Sequence, residues 1–92
     1  MIFAVLFEDD PGRAHMRAER MADHLAFLAR HADAVRAAGP LKEADSGAGG
    51  LWVVEAEAAD AVRRLVEEDP FWPTGLRKSV KILEWTQVHG AL

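Results

Sequence analysis

The chain has 92 residues, of which 50% are hydrophobic, 11 are Lys or Arg and 15 are Asp or Glu, giving a formal net charge of −4. This length predicts one domain over residues 1–92. The hydrophobic content excludes a disordered chain, and the acidic balance argues against a nucleic-acid-binding surface. The absence of cysteine excludes disulfide frameworks and thiol nucleophiles, and it fits a reducing, cytoplasmic location.

The first predicted element is a strand over residues 1–7, where apolar residues occupy both faces. Such a pattern is typical of an interior strand that is covered on both sides. The apolar run ends at the acidic cluster of residues 8–10, so it is too short for a signal peptide or a membrane span.

A long helix is predicted from residue 13 to about residue 34, because apolar residues recur there at steps of three and four. They form one stripe on a helical wheel: Ala18, Met21, Ala22, Leu25, Leu28, Ala29, Ala32 and Val35. His24 and His31 share a helix face just outside the edge of this stripe, and Arg17 lines up with them. An imidazole placed there can be partly desolvated and serve in proton transfer, or it can simply bond a carbonyl.

Two strands separated by a loop are predicted next. Residues 38–41 include Pro40, which has no N–H for a sheet ladder, so a strand here would lie at an edge. The glycine-rich residues 45–50 are predicted to be a flexible loop, and the next strand covers residues 51–56.

The second helix is predicted over residues 58–68, before an aromatic loop and a last strand over residues 77–85. Its apolar stripe consists of Ala58, Ala61, Val62, Leu65 and Val66. Asp69 ends the helix, because the residue before a proline is unfavourable in helical geometry. That position suits either a turn hydrogen bond or a functional carboxylate. Phe71 and Trp72 in the loop can line a pocket or pack in the core.

The order of elements, β-α-β-β-α-β, predicts an α+β, ferredoxin-like fold with an antiparallel sheet. In this topology the first strand is interior and the second is an edge, as their sequences suggest. Two helices cover one face of such a sheet, whereas Leu83, Trp85 and one side of the first strand need cover on the other face. A second copy of the chain, packed sheet to sheet, is the simplest cover, so a homodimer is predicted.

No motif indicates a cofactor or a metal. The sequence has no Walker loop, no GxGxxG, no HExxH and no serine-hydrolase elbow. His24 and His31 lie two helical turns apart, roughly 10 Å, which is too far for both to bind one ion. We therefore predict neither a cofactor nor a metal.

The chain resembles the YciI-like (YCII-related) family along nearly its whole length. The resembling segments are FAVLF at 3–7, HLAFL at 24–28, AGPL at 38–41, GLWVVE at 50–55, EDPF at 68–71, GL at 75–76 and ILEW at 82–85. The resemblance implies a dimeric α/β barrel and a site that pairs a histidine, here His24, with an aspartate, here Asp69. It also places Gly39 and Pro40 in the family's Gly-Pro turn and Arg20 as an arginine ahead of the histidine.

Three functions are expected on this basis. The first is a lyase or isomerase in which His24 is the general acid and base and Asp69 orients it. Relatives of this fold include dehydrochlorinases and muconolactone isomerases, so the resemblance implies a cofactor-free proton transfer, elimination or isomerisation on a small, for example cyclic, substrate. The second is a non-catalytic module that binds a metabolite or a partner protein, and the third is a haem- or oxygen-dependent monooxygenase. The predicted substrate pocket comprises Arg20, Gly39, Pro40, Phe71 and Trp72.

Overall fold

Strands and helices follow one another in the predicted order β-α-β-β-α-β. The computed structural model describes residues 1–91, and Leu92 lies outside the described residues. The elements are β1 (Ile2–Asp9), α1 (His15–Arg30), β2 (Val35–Glu43), β3 (Ser46–Glu55), α2 (Ala59–Glu68) and β4 (Arg77–Trp85). The predicted α+β, ferredoxin-like fold is therefore confirmed. No helix within residues 1–91 is long and apolar enough to cross a membrane.

The four strands form one antiparallel sheet in the order β2-β3-β1-β4. β1 is interior and β2 lies at an edge, as the apolar first strand and Pro40 predict. Phe3, Val5 and Phe7 of β1 are buried. Because side chains alternate along a strand, the even-numbered residues of β1 point to the opposite face of the sheet.

The core lies between the helices and one face of the sheet. Val62 and Val66 bring α2 onto this face, which confirms the predicted stripe of that helix. Trp52 and Val54 of β3 pack beside the buried side chains of β1. The buried cluster consists of Phe3, Val5, Phe7, Phe27, Val35, Trp52, Val54, Val62 and Val66.

The predicted stripe of α1 is correct for Leu28, which packs against the core, and for the half-buried Met21, but the buried face is rotated about the helix axis away from the rest of it. The buried residues of α1 are His24 and Phe27, whereas Leu25 is 55% exposed and the alanines at 18, 22, 29 and 32 are exposed. Each alanine offers only a methyl group to the core, so the larger Phe27 decides which face turns inward. His24 therefore lies within the buried face rather than at its margin. The helix also ends at Arg30, earlier than predicted.

The predicted flexible loop at residues 45–50 is also wrong. Only residues 44–45 form the turn between β2 and β3, and the glycine-rich segment belongs to β3. Gly49 lies against β1, where an added Cβ would overlap the backbone carbonyl of Phe7. Glycine at this position serves the close approach of two strands rather than flexibility.

The sheet face turned away from the helices carries an apolar surface. Leu83 is 47% exposed and Trp85 is 36% exposed. A groove of about 340 Å³ runs between the side chains of this face. We call this surface the open sheet face, and it comprises Ala4, Leu6, Ala37, Leu51, Val53, Leu83 and Trp85.

The close approach of β3 to β1 predicts the effect of Gly49→Ala. The new Cβ would lie 2.7 Å from the carbonyl carbon of Phe7, so the strands must shift, and we expect a loss of about 1–3 kcal/mol in the free energy of unfolding. Gly47→Ala is the matched control, because nothing lies within 4 Å of a Cβ at that position. Urea unfolding of both variants measures the difference. Equal stabilities would contradict the close contact.

Candidate active site

Two distant parts of the sequence meet on the helix side of the sheet. Asp69 follows the last turn of α2 with an extended backbone, φ −65° and ψ 135°, because Pro70 disfavours a helical conformation before it. His24 lies in the middle of α1 on its buried face. Since both helices pack on the same sheet face, the two side chains touch although 45 positions separate them.

Asp69 is a fully buried carboxylate with three hydrogen-bond donors around it. Its Oδ1 lies 2.9 Å from Nδ1 of His24 and accepts from the backbone N–H of Phe71 at 3.0 Å. Its Oδ2 accepts from the guanidinium of Arg77 at 2.7 Å. An ionised carboxylate can only accept hydrogen bonds, so Nδ1 of His24 is the donor. The other ring nitrogen, Nε2, is left for a ligand.

The contacts of Asp69 keep it ionised. Burial by itself would raise the pKa of Asp69, but the hydrogen bond from His24, the charge of Arg77 and the N–H of Phe71 outweigh it, so the pKa lies below its ordinary value of 3.8. Burial lowers the pKa of Arg77, and the Asp69 carboxylate opposes that effect. A guanidinium stays charged even so, and the two residues form a buried ion pair.

Arg77 is a site residue that the sequence did not single out. Its side chain is 5% exposed, and its guanidinium carbon lies 3.9 Å from the ring centre of Phe7 and 5.0 Å from that of Trp52. These cation–π contacts add to the ion pair. No feature of the sequence distinguishes Arg77 from Lys78 and Lys81, two basic residues of the same strand that are exposed. Its burial depends on partners in other elements.

Aromatic rings fix the orientation of the His24 imidazole. The ring of Phe71 stacks on it with centres 4.2 Å apart and an interplanar angle of 22°. Trp52 lies on a nearly parallel plane, with its ring centre 6.3 Å away. The imidazole is therefore held by one hydrogen bond and by stacking, and it cannot turn Nδ1 away from Asp69 without losing that hydrogen bond.

His24 borders a pocket of about 150 Å³ between α1 and the sheet. A cavity of about this size can hold a single benzene ring. The pocket is lined by Phe7, Arg17, Met21, His24, Leu25, Leu28, Ala38, Gly39, Pro40, Gly50, Trp52 and Arg77. A basic nitrogen facing a small, largely apolar cavity can move a proton on a bound molecule.

Most of the predicted site residues come together here. Gly39 and Pro40, at the edge of the sheet, line the pocket with His24. Phe71 and Asp69 do not line it but lie directly behind the imidazole, one stacked on it and the other bonded to it. The predicted pairing of His24 with Asp69 is thus present as a direct contact.

The structure does not bring Arg20 or Trp72 into this pocket, which corrects the prediction. Arg20 points to the surface, where its side chain is 52% exposed and lies 3.7 Å from Asp23. Trp72 packs against the core, and the guanidinium of Arg63 covers its ring. The arginine that lines the pocket ahead of His24 is Arg17. It lies one helical turn before Arg20, on the face that the rotation of α1 turns inward.

A metal centre finds no support in the described part of the chain. Within residues 1–91, no three or more His, Asp or Glu side chains are grouped so that they could hold an ion. Three titratable groups meet in the site, and Asp69 bonds both of the others, His24 and Arg77. Nδ1 of His24 is bonded to Asp69 and Nε2 is left for a ligand, an arrangement that can support acid–base chemistry on a bound organic molecule.

Known proteins with the same fold include an enzyme. The YCII-related domain matches residues 1–86 of the chain. One of these known proteins is TftG, the 5-chloro-2-hydroxyhydroquinone dehydrochlorinase from Burkholderia phenoliruptrix AC1100, which was solved in complex with 2,5-dihydroxybenzoquinone. Its structure matches this chain with a TM-score of 0.83 and 30% sequence identity, and the match covers 98% of this chain and 96% of TftG. The Arabidopsis thaliana protein At3g17210 shares the fold, with a TM-score of 0.50 and 15% identity over 99% and 98% of the two chains. No curated protein matches the sequence.

The buried ion pair predicts how Asp69→Asn changes stability. The substitution leaves the Arg77 guanidinium buried without a counter-charge, so we expect the free energy of unfolding at neutral pH to fall by about 3–5 kcal/mol. Asp23→Asn is the control, because that carboxylate is 64% exposed and its pairing contributes little. Urea unfolding measures both. A loss below about 1 kcal/mol for Asp69→Asn would contradict the buried pair.

The same variant tests the acid dependence of stability. The pKa of Asp69 is lower in the folded chain than its ordinary value of 3.8, so the unfolded chain binds the proton first. The contribution of ionised Asp69 to the free energy of unfolding is therefore complete when the pH is above its ordinary pKa, and it disappears as the pH falls through the pKa of the folded chain. We expect Asp69→Asn to flatten the acid side of the stability curve measured by urea unfolding, and an acid dependence equal to that of the wild type would contradict the lowered pKa of Asp69.

Proposed function

The chain belongs to the YCII-related family, and we propose that it is a small-molecule enzyme in which His24 acts as general acid and base. The observation that carries the proposal is the 2.9 Å contact between Nδ1 of His24 and the buried Oδ1 of Asp69. That contact leaves Nε2 as the only ring nitrogen available at the pocket. The 30% identity to TftG, a dehydrochlorinase, supports a catalytic role on a small molecule.

The proposed chemistry is a proton transfer that needs no redox partner. Nε2 of neutral His24 takes a proton from the substrate, the electron pair of the broken bond moves into the substrate, and a leaving group departs with its own bonding pair. In an isomerisation the proton returns at another atom instead. Asp69 stabilises the imidazolium that forms. Arg77 acts through Asp69, because it keeps that carboxylate ionised and in place.

The proposed substrate is a compound with one oxygen-bearing ring. The pocket volume of about 150 Å³ limits the ligand to roughly one ring. TftG acts on a chlorinated hydroxyhydroquinone and was solved with 2,5-dihydroxybenzoquinone, so such compounds are the first candidates for this chain. Aromatic walls at Phe7 and Trp52 suit a flat ligand.

We further propose that the protein is a cytoplasmic homodimer that joins through the open sheet face. The apolar character of that face supports the interface, because Leu6, Leu83 and Trp85 are all at least 36% exposed there. Two copies related by a twofold axis would each bury the same face. The absence of cysteine supports a reducing compartment.

The homodimer predicts the effect of Leu83→Glu. A carboxylate buried in an apolar interface would lose its hydration without a partner, so we expect the variant to sediment as a monomer at concentrations where the wild-type chain is dimeric. Val88→Glu is the control, since Val88 is 91% exposed and lies outside the open sheet face. Wild-type protein that sediments as a monomer would contradict the proposal.

The acid–base role predicts the effect of His24→Gln. Glutamine keeps a polar side chain of similar reach but cannot take up the proton, so we expect turnover to fall by about 10²- to 10⁴-fold. Chloride release from 5-chloro-2-hydroxyhydroquinone and from other chlorinated single-ring phenols measures turnover. His31→Gln is the matched control, because His31 directly follows α1, seven residues after His24, packs on Phe27 and does not line the pocket. Equal turnover of His24→Gln and the wild type would contradict the role of His24.

A further inference from the structure

Apart from His24, the polar side chains that line the pocket share one property, which is that they carry only hydrogen-bond donors. We propose that Arg17 binds an oxyanion of the ligand, so that the pocket takes a single-ring compound with a delocalised anionic oxygen group, such as a phenolate or a carboxylate. This inference rests on the proposed function and names the substrate class of the same site.

The lining of the pocket carries the first step of the argument. None of its side chains is an aspartate or a glutamate. The polar ones are two guanidinium groups, an indole and the imidazole of His24. Guanidinium and indole groups donate hydrogen bonds and accept none. A cationic ligand would therefore find no counter-charge among the lining side chains, whereas a ligand with oxygen acceptors finds several donors.

The partners of the two arginines decide which one is available. Arg77 is 5% exposed and its charge is paired with Asp69 inside the protein. Arg17 is 29% exposed, and only its NH2 group bonds to Asp9, at 2.6 Å. A guanidinium has five N–H donors in a rigid plane, so Arg17 keeps donors for a ligand. Two parallel N–H groups match the two oxygens of a carboxylate.

The surroundings of Arg17 hold its side chain in place before a ligand arrives. Asp9 bonds it at one end, and its guanidinium carbon lies 5.5 Å from the ring centre of Phe71. Arg17 bonds Oδ2 of Asp9, and the buried Oδ1 has no hydrogen-bond partner among the described residues, so this carboxylate depends on Arg17. A long side chain that is already ordered loses little conformational entropy when it binds. Asp9 thus reduces the net charge of Arg17 but fixes its position.

Arg17 and His24 flank the same aromatic ring. The ring of Phe71 lies 4.2 Å from the imidazole and within cation–π distance of the guanidinium. Both groups also line the same pocket of about 150 Å³, so one small ligand can contact both. When Nε2 of His24 removes a proton, the ligand gains a negative charge, and a fixed guanidinium beside it stabilises that charge. Oxyanion binding by Arg17 and proton transfer to His24 thus support the same reaction.

Binding of unreactive probes tests the proposal without requiring turnover. Isothermal titration calorimetry compares benzoate with benzamide, and 4-nitrophenolate with 4-nitroaniline, because each pair differs in charge but hardly in size. We expect wild-type protein to bind each anion at least about tenfold more tightly than its neutral counterpart. Arg17→Gln should abolish this preference, whereas Arg20→Gln, which changes an arginine of the same helix outside the pocket, should keep it. A preference for one pair alone assigns the oxyanion as a carboxylate or a phenolate.

The outcomes separate this proposal from the proposed function. Equal affinities within both pairs, no measurable binding of either anion, or a preference that survives Arg17→Gln would each overturn it. If thermal unfolding shows that Arg17→Gln is unfolded, Arg17→Lys replaces it, because lysine keeps the charge near Asp9 but loses the planar fork and should weaken the preference. Turnover by His24→Gln decides the catalytic role separately, since the probes undergo no reaction.

Discussion

The buried carboxylate of Asp69 is the constraint on which the rest of the structure depends. A charge removed from water must be matched by donors from the protein. Those donors come from three different parts of the chain, namely His24 in α1, the backbone of Phe71 after α2, and Arg77 at the start of β4. The same three contacts that neutralise the charge therefore fix how both helices sit on the sheet.

Such an arrangement is not the most stabilising one that these positions allow. A buried ion pair gains little over a well-packed apolar pair of the same volume, because both charges lose their hydration. What the charges provide is a defined tautomer and orientation of the His24 imidazole. Phe71 contributes twice to this, since its N–H bonds Asp69 and its ring stacks on the imidazole. Stability and site geometry thus rest on the same contacts.

The sequence was sufficient where a local rule acts alone. The apolar residues of β1 predicted an interior strand, Pro40 predicted an edge, and Pro70 placed Asp69 at the end of α2. The sequence was insufficient where the position of a side chain depends on contacts with residues of distant elements. The inward rotation of α1 depends on Phe27 and on the bond between His24 and Asp69, and helical periodicity counts an exposed alanine as readily as a buried phenylalanine. Arg77 is buried because Asp69 and the rings of Phe7 and Trp52, all from other elements, surround it.

The two faces of the sheet carry different features, namely the pocket on one face and the proposed dimer interface on the other. The pocket lies on the helix side, where α1 meets the edge formed by Gly39 and Pro40, and the open sheet face lies on the other side. A second copy packed on the open sheet face would therefore leave Arg17 and His24 accessible to a ligand. Side chains alternate along β1, so this strand contributes to both faces: Phe7 contacts Arg77 on the helix side, and its neighbour Leu6 lies on the open sheet face. A shift of β1 by one residue would exchange these faces and remove both the pocket wall and the apolar surface at once.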